Sequence, residues 1–195
     1  MKTYYDRRAL EYDDWWLGEG LYADRERPGW DEERAELARV LAELPPGRTL
    51  DVACGTGFLT RHLPGDVVGL DASERMLAVA REQAPHARFV RGDALALPFD
   101  DASFDRVFAS YFYCHLEAPE RRRFLEEARR VASELVIVAS RWNERDARER
   151  WEERRLKDGS TWTVYKRVFL SAELAAELGG GEVLHEGRWF VVVRA

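Results

Sequence analysis

Leu50-Asp51-Val52-Ala53-Cys54-Gly55-Thr56-Gly57-Phe58-Leu59-Thr60 is the stretch from which the rest of the chain can be read. The apolar run Thr49 to Val52 ends in a small, glycine-rich turn, and Phe58 to Leu63 can start a helix. A strand that turns sharply into a helix is how open α/β sheets bind nucleotides, since glycines let backbone approach the ligand with no Cβ in the way. A second mark follows. Val67-Val68-Gly69-Leu70 reads as the next buried strand and ends in Asp71, 20 residues after Asp51. A carboxylate at that strand tip can accept hydrogen bonds from both hydroxyls of a ribose. The glycine turn alone would serve equally as a structural turn; with the acidic strand end it points to an adenosine-containing ligand.

The bulk composition narrows the class. A chain of 195 residues that is 46% hydrophobic has the length and the apolar content for one domain with a sizeable core. Its formal net charge of -6 argues against nucleic-acid binding driven by bulk charge. Cys54 and Cys114 are the two cysteines; they make no disulfide framework, and metal-ligand spacing is absent. The N-terminal stretch Met1 to Asp14 is polar and aromatic rather than a signal peptide, and no apolar run approaches a membrane span, so a cytoplasmic protein is expected.

Residues 1–30 are dense in aromatics, among them Tyr4, Tyr5, Tyr12, Trp15, Trp16, Tyr22 and Trp30. Neighbours on a helix do not share a face, so Trp15 and Trp16 cannot both meet one core, and one of them should look towards a pocket or a partner. Asp31 to Leu44 has an apolar stripe at Leu37, Val40, Leu41 and Leu44 and is expected to be a helix, stopped by Pro45-Pro46-Gly47. After Asp71, Ser73 caps a helix that runs to about Gln83 with Met76, Leu77 and Ala80 inward. Strands follow at Ala87 to Arg91, Arg106 to Ala109 and Glu134 to Ala139, with a helix from Pro119 to Ala132 between the last two. This strand–helix rhythm predicts a parallel sheet covered on both faces, with the ligand at the strands' C-terminal ends.

The tail reads differently. Asn143 to Leu156 is expected to be a very polar helix and Thr161 to Phe169 a strand. Ser171 to Leu178 reads as a short helix, and Glu182 to His185 and Arg188 to Val193 flank a hairpin turn at Glu186-Gly187. A closing hairpin places an antiparallel strand on the parallel sheet. The chain divides into an N-terminal helical lid or cap (1–46), a core (47–140) and a C-terminal part (141–195) with a substrate-side segment and the closing hairpin, all in one domain.

Over nearly its whole length the chain resembles the class I S-adenosylmethionine-dependent methyltransferases. Their glycine motif is similar to Leu50 to Gly57, their ribose-binding acid matches Asp71, and their adenine-contacting acid matches Asp93 in Arg91-Gly92-Asp93-Ala94. Phe104 to Ser110 resembles their fourth-strand motif, and Tyr4-Tyr5-Asp6 with Glu11-Tyr12-Asp13 resembles the segment that closes over the cofactor in small-molecule members. Ala53 stands where the fullest glycine motif has glycine. The resemblance implies a three-layer Rossmann-like sandwich with a mostly parallel seven-stranded sheet and an antiparallel C-terminal strand. It implies S-adenosylmethionine as cofactor, S-adenosylhomocysteine as product, and a cofactor site of Tyr12, Asp51, Ala53, Gly55, Gly57, Asp71, Ala72, Met76, Asp93, Ala94 and Ser110. A nicotinamide-dependent oxidoreductase is disfavoured, because a third glycine near residue 60 is missing.

Methyl transfer from a sulfonium needs alignment and exclusion of water more than a catalytic triad. Asp51 either fixes the turn or, as the resemblance implies, meets the cofactor's amino group. Tyr111, Tyr113 and His115 follow the fourth strand, where a substrate should approach. His115 can take a proton from an acceptor near neutral pH, or simply hydrogen-bond its surroundings. Tyr5, Trp15, Trp16 and Trp162 are candidate walls of a substrate pocket. Cys114 lacks the Pro-Cys context of cytosine methylation, and the segment lacks the Pro-Pro-aromatic tetrapeptide of base-amino methylation. A small-molecule acceptor is expected, without nucleic acid or membrane. A protein that binds the cofactor without transferring its methyl group is the alternative.

Overall fold

The computed structural model describes residues 2–144 and 147–195. Seven strands form one sheet: β1 Gly47–Val52, β2 Gly65–Asp71, β3 Arg88–Arg91, β4 Phe104–Ser110, β5 Ala132–Ser140, β8 Glu182–Glu186 and β9 Phe190–Arg194. Their order is β3-β2-β1-β4-β5-β9-β8. β3 through β5 are mutually parallel, and β9 runs antiparallel to both β5 and β8, as the closing hairpin predicts. β1, β2, β4 and β5 are buried on both faces, which is why they read as near-continuous apolar runs. The order turns back at β1 and β4, and ligands of open α/β sheets bind at the carboxyl ends of the strands there.

Among the described residues there are six α-helices, α1 Lys2–Arg8, α2 Asp14–Leu17, α3 Trp30–Ala42, α4 Glu74–Gln83, α5 Ala118–Val131 and α6 Ser171–Glu177, of which α3 to α6 pack on the sheet. Ser73 caps α4, its hydroxyl accepting from the N–H of Met76 at 3.2 Å. α3, α4 and α5 agree with the apolar stripes in the sequence to within two residues at either end. The helix expected from Phe58 does not form. Only a 3-10 turn at Thr60–His62 follows β1, because Pro64-Gly65 begins β2 before a second turn can be wound. Among the described residues no helix is long and apolar enough to cross a membrane.

A larger departure lies in the tail. The expected helix from Asn143 to Leu156 is instead a strand, β6 Glu149–Arg155, paired antiparallel with β7 Thr161–Arg167 in a separate two-stranded sheet; residues 145–146 of the expected helix lie outside the described residues. Glu and Arg favour helices intrinsically, but that preference is worth only tenths of a kcal/mol per residue and yields to tertiary context. Here the context is α1, whose Tyr4 is buried against Leu156 and Val164 with Trp162 beside it. The hairpin is thereby held against the N-terminal helix.

Candidate active site

The β1 turn brings its residues to the ligand end of the sheet in an unusual backbone conformation. Ala53, Gly55 and Gly57 all have positive φ, at 57°, 56° and 75°. Gly57 has a packing reason as well: a Cβ there would lie 3.2 Å from the Cα of Ala80, so it lets the turn close onto α4. Ala53 carries a side chain in the left-handed region, at a cost of about 1–2 kcal/mol.

Asp71 ends β2 and faces this turn. Its Oδ2 accepts from the Gly55 N–H at 3.0 Å and its Oδ1 from the Ser73 N–H at 2.8 Å. Each oxygen therefore keeps acceptor capacity towards a ligand. Burial pushes its carboxyl above the ordinary value, although both N–H donors oppose the shift. Asp51 is 2% exposed. Thr60 Oγ1 donates to its Oδ2 at 2.6 Å, while Oδ1 is buried with no partner among the described residues. Burial raises its pKa to about 7, with the neighbouring Asp71 charge adding and the Thr60 hydrogen bond opposing.

A cleft of about 240 Å³ opens over these groups. Tyr12, Ala53, Gly55, Asp71, Ala72, Met76, Asp93, Ala94 and Ser110 of the expected cofactor set line it. Asp93 Oδ1 accepts from the Leu95 N–H at 2.9 Å, and the buried Ser110 hydroxyl has no partner among the described residues. Gly57 and Asp51 stand behind the wall rather than in it, Gly57 packed on α4 and Asp51 sealed under the turn. Leu70, Ser73, Leu95, Phe112, Leu116 and Glu120 also line the cleft, and sequence reading missed them. Phe112 and Leu116 arrive as the two caps of the 3-10 turn after β4, which no local pattern announced, and Glu120 from the first turn of α5.

A second, larger cavity of about 1340 Å³ adjoins the first, and Tyr5, Tyr12, Tyr111 and His115 line both. Tyr111 sits at φ 56°, an uncommon conformation for a bulky residue. Its N–H donates to the Val138 carbonyl at 2.9 Å, and the Tyr111 carbonyl accepts from the Cys114 thiol at 3.2 Å. This reversal at the end of β4 carries the chain across the mouth of both cavities. His115 then hydrogen-bonds the Tyr165 carbonyl of β7 through Nδ1 at 2.7 Å. A carbonyl only accepts, so Nδ1 carries the proton, and in the neutral ring Nε2 holds a free lone pair. Burial pushes the His115 pKa well below its ordinary value, and the charges of Arg154, Lys166 and Arg8 push it further, against the Tyr165 hydrogen bond. The ring is neutral at pH 7.

Three of the expected site residues lie elsewhere. Tyr113 is fully buried; its hydroxyl donates to Glu177 Oε1 at 2.9 Å beneath α6, because the 3-10 turn sends it to the side opposite His115. Trp16 is core, stacked on Phe58 with centroids 5.0 Å apart, whereas its neighbour Trp15 lines the larger cavity edge-on to Tyr111 at 4.8 Å. The two tryptophans do not separate as adjacent helix positions would: their rings meet edge to face at 4.7 Å and both touch Trp30 and Tyr111, with Trp16 the more deeply buried and only Trp15 reaching the cavity. Trp162 packs on Tyr4 with centroids 5.8 Å apart, outside both cavities, because α1 covers that end of the hairpin.

The N-terminal segment is fastened across the cofactor cleft. Thr56 Oγ1 donates to Asp13 Oδ1 at 2.6 Å, Gln83 donates to Asp13 Oδ2, and Ser73 Oγ donates to Asp6 Oδ1 at 2.5 Å. Tyr12 lies 3.7 Å from where a Gly55 Cβ would stand.

A seven-stranded sheet in this order, with a glycine turn after its first strand and acids at the tips of the second and third, is the cofactor-binding arrangement of the class I S-adenosylmethionine-dependent methyltransferases. Residues 49–134 match the methyltransferase domain family. The chain is 36% identical over 113 residues to a demethylmenaquinone methyltransferase of Thermotoga maritima, a match covering 54% of this chain and 48% of that protein. It is 38% identical to a 2-methyl-6-phytyl-1,4-hydroquinone methyltransferase of Synechocystis sp., over 56% of this chain and 36% of the other. The chain thus spans about half or less of the length of these curated relatives. Among solved structures, the DhpI-SAM-HEP complex superposes with a TM-score of 0.77 at 27% identity, covering 99% of this chain and 94% of that one. The residues here fit S-adenosylmethionine: a strand-tip carboxylate with free acceptor capacity, a glycine turn open to the cleft, and an orphaned buried oxygen on Ser110 in the cleft wall.

Proposed function

We propose that the chain transfers a methyl group from S-adenosylmethionine to a small-molecule acceptor bound in the larger cavity. The observation that carries this reading is the shared wall: one histidine and three tyrosines line both the cofactor cleft and the larger cavity. S-adenosylmethionine, when bound, supplies an electrophilic methyl whose transfer to an acceptor lone pair leaves the S–C electron pair on sulfur, as S-adenosylhomocysteine.

The chain's own residues divide the remaining tasks. Asp71 holds the ribose hydroxyls through its free acceptor capacity, Asp93 and Ala94 meet the adenine edge, and Asp51 faces the amino group from beneath the turn. His115 takes the acceptor's proton at Nε2, and its fixed tautomer keeps that atom a base throughout. Tyr5, Tyr12 and Tyr111 exclude water from the junction and hold the reacting groups in line. A larger cavity lined by charged side chains such as Arg8, Glu152, Arg154 and Lys166 argues for a compact, polar acceptor over a long-tailed quinone.

Calorimetry with S-adenosylhomocysteine tests the cofactor half. Binding is expected, with no comparable binding of NAD, and Asp71→Ala weakens it by about 1–3 kcal/mol by leaving the ribose hydroxyls unpaired. An unchanged affinity in folded Asp71→Ala protein removes Asp71 from the site. Transfer of a labelled methyl group into a metabolite pool tests the other half; binding without turnover on any acceptor would make the chain a sensor rather than an enzyme.

A further inference from the structure

Two cations in the larger cavity lack the counter-charge that buried cations normally require. Arg8, at the end of α1, is 5% exposed. Its guanidinium donates to the hydroxyls of Tyr4 at 2.9 Å and Tyr22 at 3.3 Å and lies 4.7 Å from the Tyr12 ring centre; it forms no ion pair among the described residues. Lys166, on β7, is 8% exposed. Its Nζ donates to Ser140 Oγ at 2.6 Å and stands 5.1 Å from the Tyr111 ring centre, again with no ion pair among the described residues. Both line the larger cavity.

The nearby acid is already engaged. Glu152 pairs with Arg150 at 2.7 Å and with Arg154 at 3.1 Å. Its charge reaches Lys166, but among the described residues three carboxylates, Glu144, Glu152 and Glu153, line this cavity against eight cationic side chains. Burying an unpaired charge costs several kcal/mol. Lysine can escape part of that cost by losing its proton, and burial does lower the Lys166 pKa; arginine cannot. A cavity that keeps positive charge under cover without an internal partner is suited to an anion from outside. The position is also informative. Arg8, Arg154 and Lys166 all act on His115, so the cationic wall and the base face the same space.

We propose that the acceptor carries a compact oxyanion, a phosphoryl or carboxylate group, held by Arg8 and Lys166 beside His115 in the larger cavity. The inference rests on the methyltransferase reading, since it names the substrate class of that same site. Recognition by one cation from the N-terminal segment and one from the β6–β7 hairpin has a consequence for order. The anion ties together the two elements that cover the sheet end, so acceptor binding completes the enclosure around the methyl group.

The test is calorimetric titration of the S-adenosylhomocysteine-saturated protein with inorganic phosphate and, separately, with acetate, each matched in ionic strength with sodium chloride. One saturable site is expected. Its affinity should fall at least tenfold in Lys166→Met, and stay unchanged in Arg122→Met, on the exposed face of α5 away from the cavity. If Lys166→Met does not fold, Arg8→Lys, which keeps the charge but loses the guanidinium fork, is the variant to read and should show a measurable loss. Tighter phosphate binding assigns a phosphoryl acceptor, and tighter acetate binding a carboxylate. Saturable binding of S-adenosylhomocysteine with no saturable anion site, or with anion binding equal in the wild type and the cavity variant, overturns this inference and leaves the methyltransferase reading standing. Absence of S-adenosylhomocysteine binding overturns that reading itself.

Discussion

Asp51 should make cofactor binding and folding stability depend on pH in opposite directions. Its carboxyl is 2% exposed, one oxygen is unpartnered, and burial raises its pKa to about 7 from an ordinary 3.8. In the unfolded chain the group ionises above about pH 4; in the folded chain it stays protonated until about pH 7. The unfolded state therefore binds fewer protons across that window, and stability falls as pH rises through it, by about 1.4 kcal/mol per unit and about 4 kcal/mol in all, then levels off. A cofactor ammonium group beside Oδ1 would reverse the preference by favouring the carboxylate. Binding would then expel the proton: about 0.9 protons per ligand at pH 6, about half at pH 7 and about 0.1 at pH 8. The apparent affinity for S-adenosylhomocysteine should rise about tenfold per unit below pH 7 and flatten above pH 8.

Calorimetry in two buffers of different ionisation enthalpy reads the released proton directly, and denaturant midpoints from pH 4 to 8 read the stability. Asp51→Asn should remove the Asp51 share of both dependences and leave the contributions of Asp71 and His115. His115 adds a stability slope of the opposite sign below about pH 6.5, because its folded pKa is depressed, so the share of Asp51 is read as the difference between the wild type and Asp51→Asn. Zero proton release by the wild type at pH 6, or an equal slope in Asp51→Asn, would refute the assignment of Asp51 to the amino group and leave it as a turn-fixing partner of Thr60.

Three further outcomes are expected. The methyl-transfer rate should hold from pH 8 down through 6.5 and fall only in more acidic solution, because the base must be neutral and its pKa is depressed; His115→Gln should lower kcat by about 100- to 10,000-fold, read from a pH–rate profile. Glu33→Ala should destabilise the fold by about 2–4 kcal/mol, since Glu33 accepts from the backbone N–H groups of Arg188, Trp189 and Phe190 at 2.8–2.9 Å and clamps α3 to the closing hairpin; Glu33→Gln, which keeps one acceptor oxygen, should lose less by chemical denaturation. Amide exchange across residues 4–17 should be faster than in β1 in the free protein and should slow on saturation with S-adenosylhomocysteine; equal protection of the two segments, unchanged by ligand, would make the N-terminal stretch ordinary core.

The cofactor half was legible because its signals are local. A glycine turn, an acid at each strand tip and a serine cap are each contained within a few residues, and the buried strands announce themselves as apolar runs. The bond of Asp71 to the Gly55 N–H links two such signals 16 residues apart. Glu33 carried no signal at all: its three backbone partners lie more than 150 residues away, and an exposed-looking glutamate on a helix gives no hint of that role. Tyr113 was misplaced for a related reason, since the positive φ at Tyr111 decides which later residue faces the cavity, and a tyrosine is not where a left-handed conformation is looked for.

The misreading of β6 is connected to function. Along Glu149 to Arg155 the burial alternates strictly, with Arg150, Glu152 and Arg154 turned inward and Glu149, Trp151, Glu153 and Arg155 outward. A half-buried strand normally shows that alternation as apolar against polar. Here both faces are charged, so the period of two vanishes from the hydrophobicity and the helix-favouring composition takes over the reading. The inward residues Arg150, Glu152 and Arg154 are charged because this hairpin borders a cavity rather than a core, a cavity that Glu153 and Arg155 line as well. The same applies to Lys166, a buried cation on a strand face that also carries Val164. Local rules failed where a polar ligand, absent from the sequence, replaces apolar side chains as the partner of that face. The error therefore marks the same wall of the larger cavity that the unpaired charges of Arg8 and Lys166 mark independently.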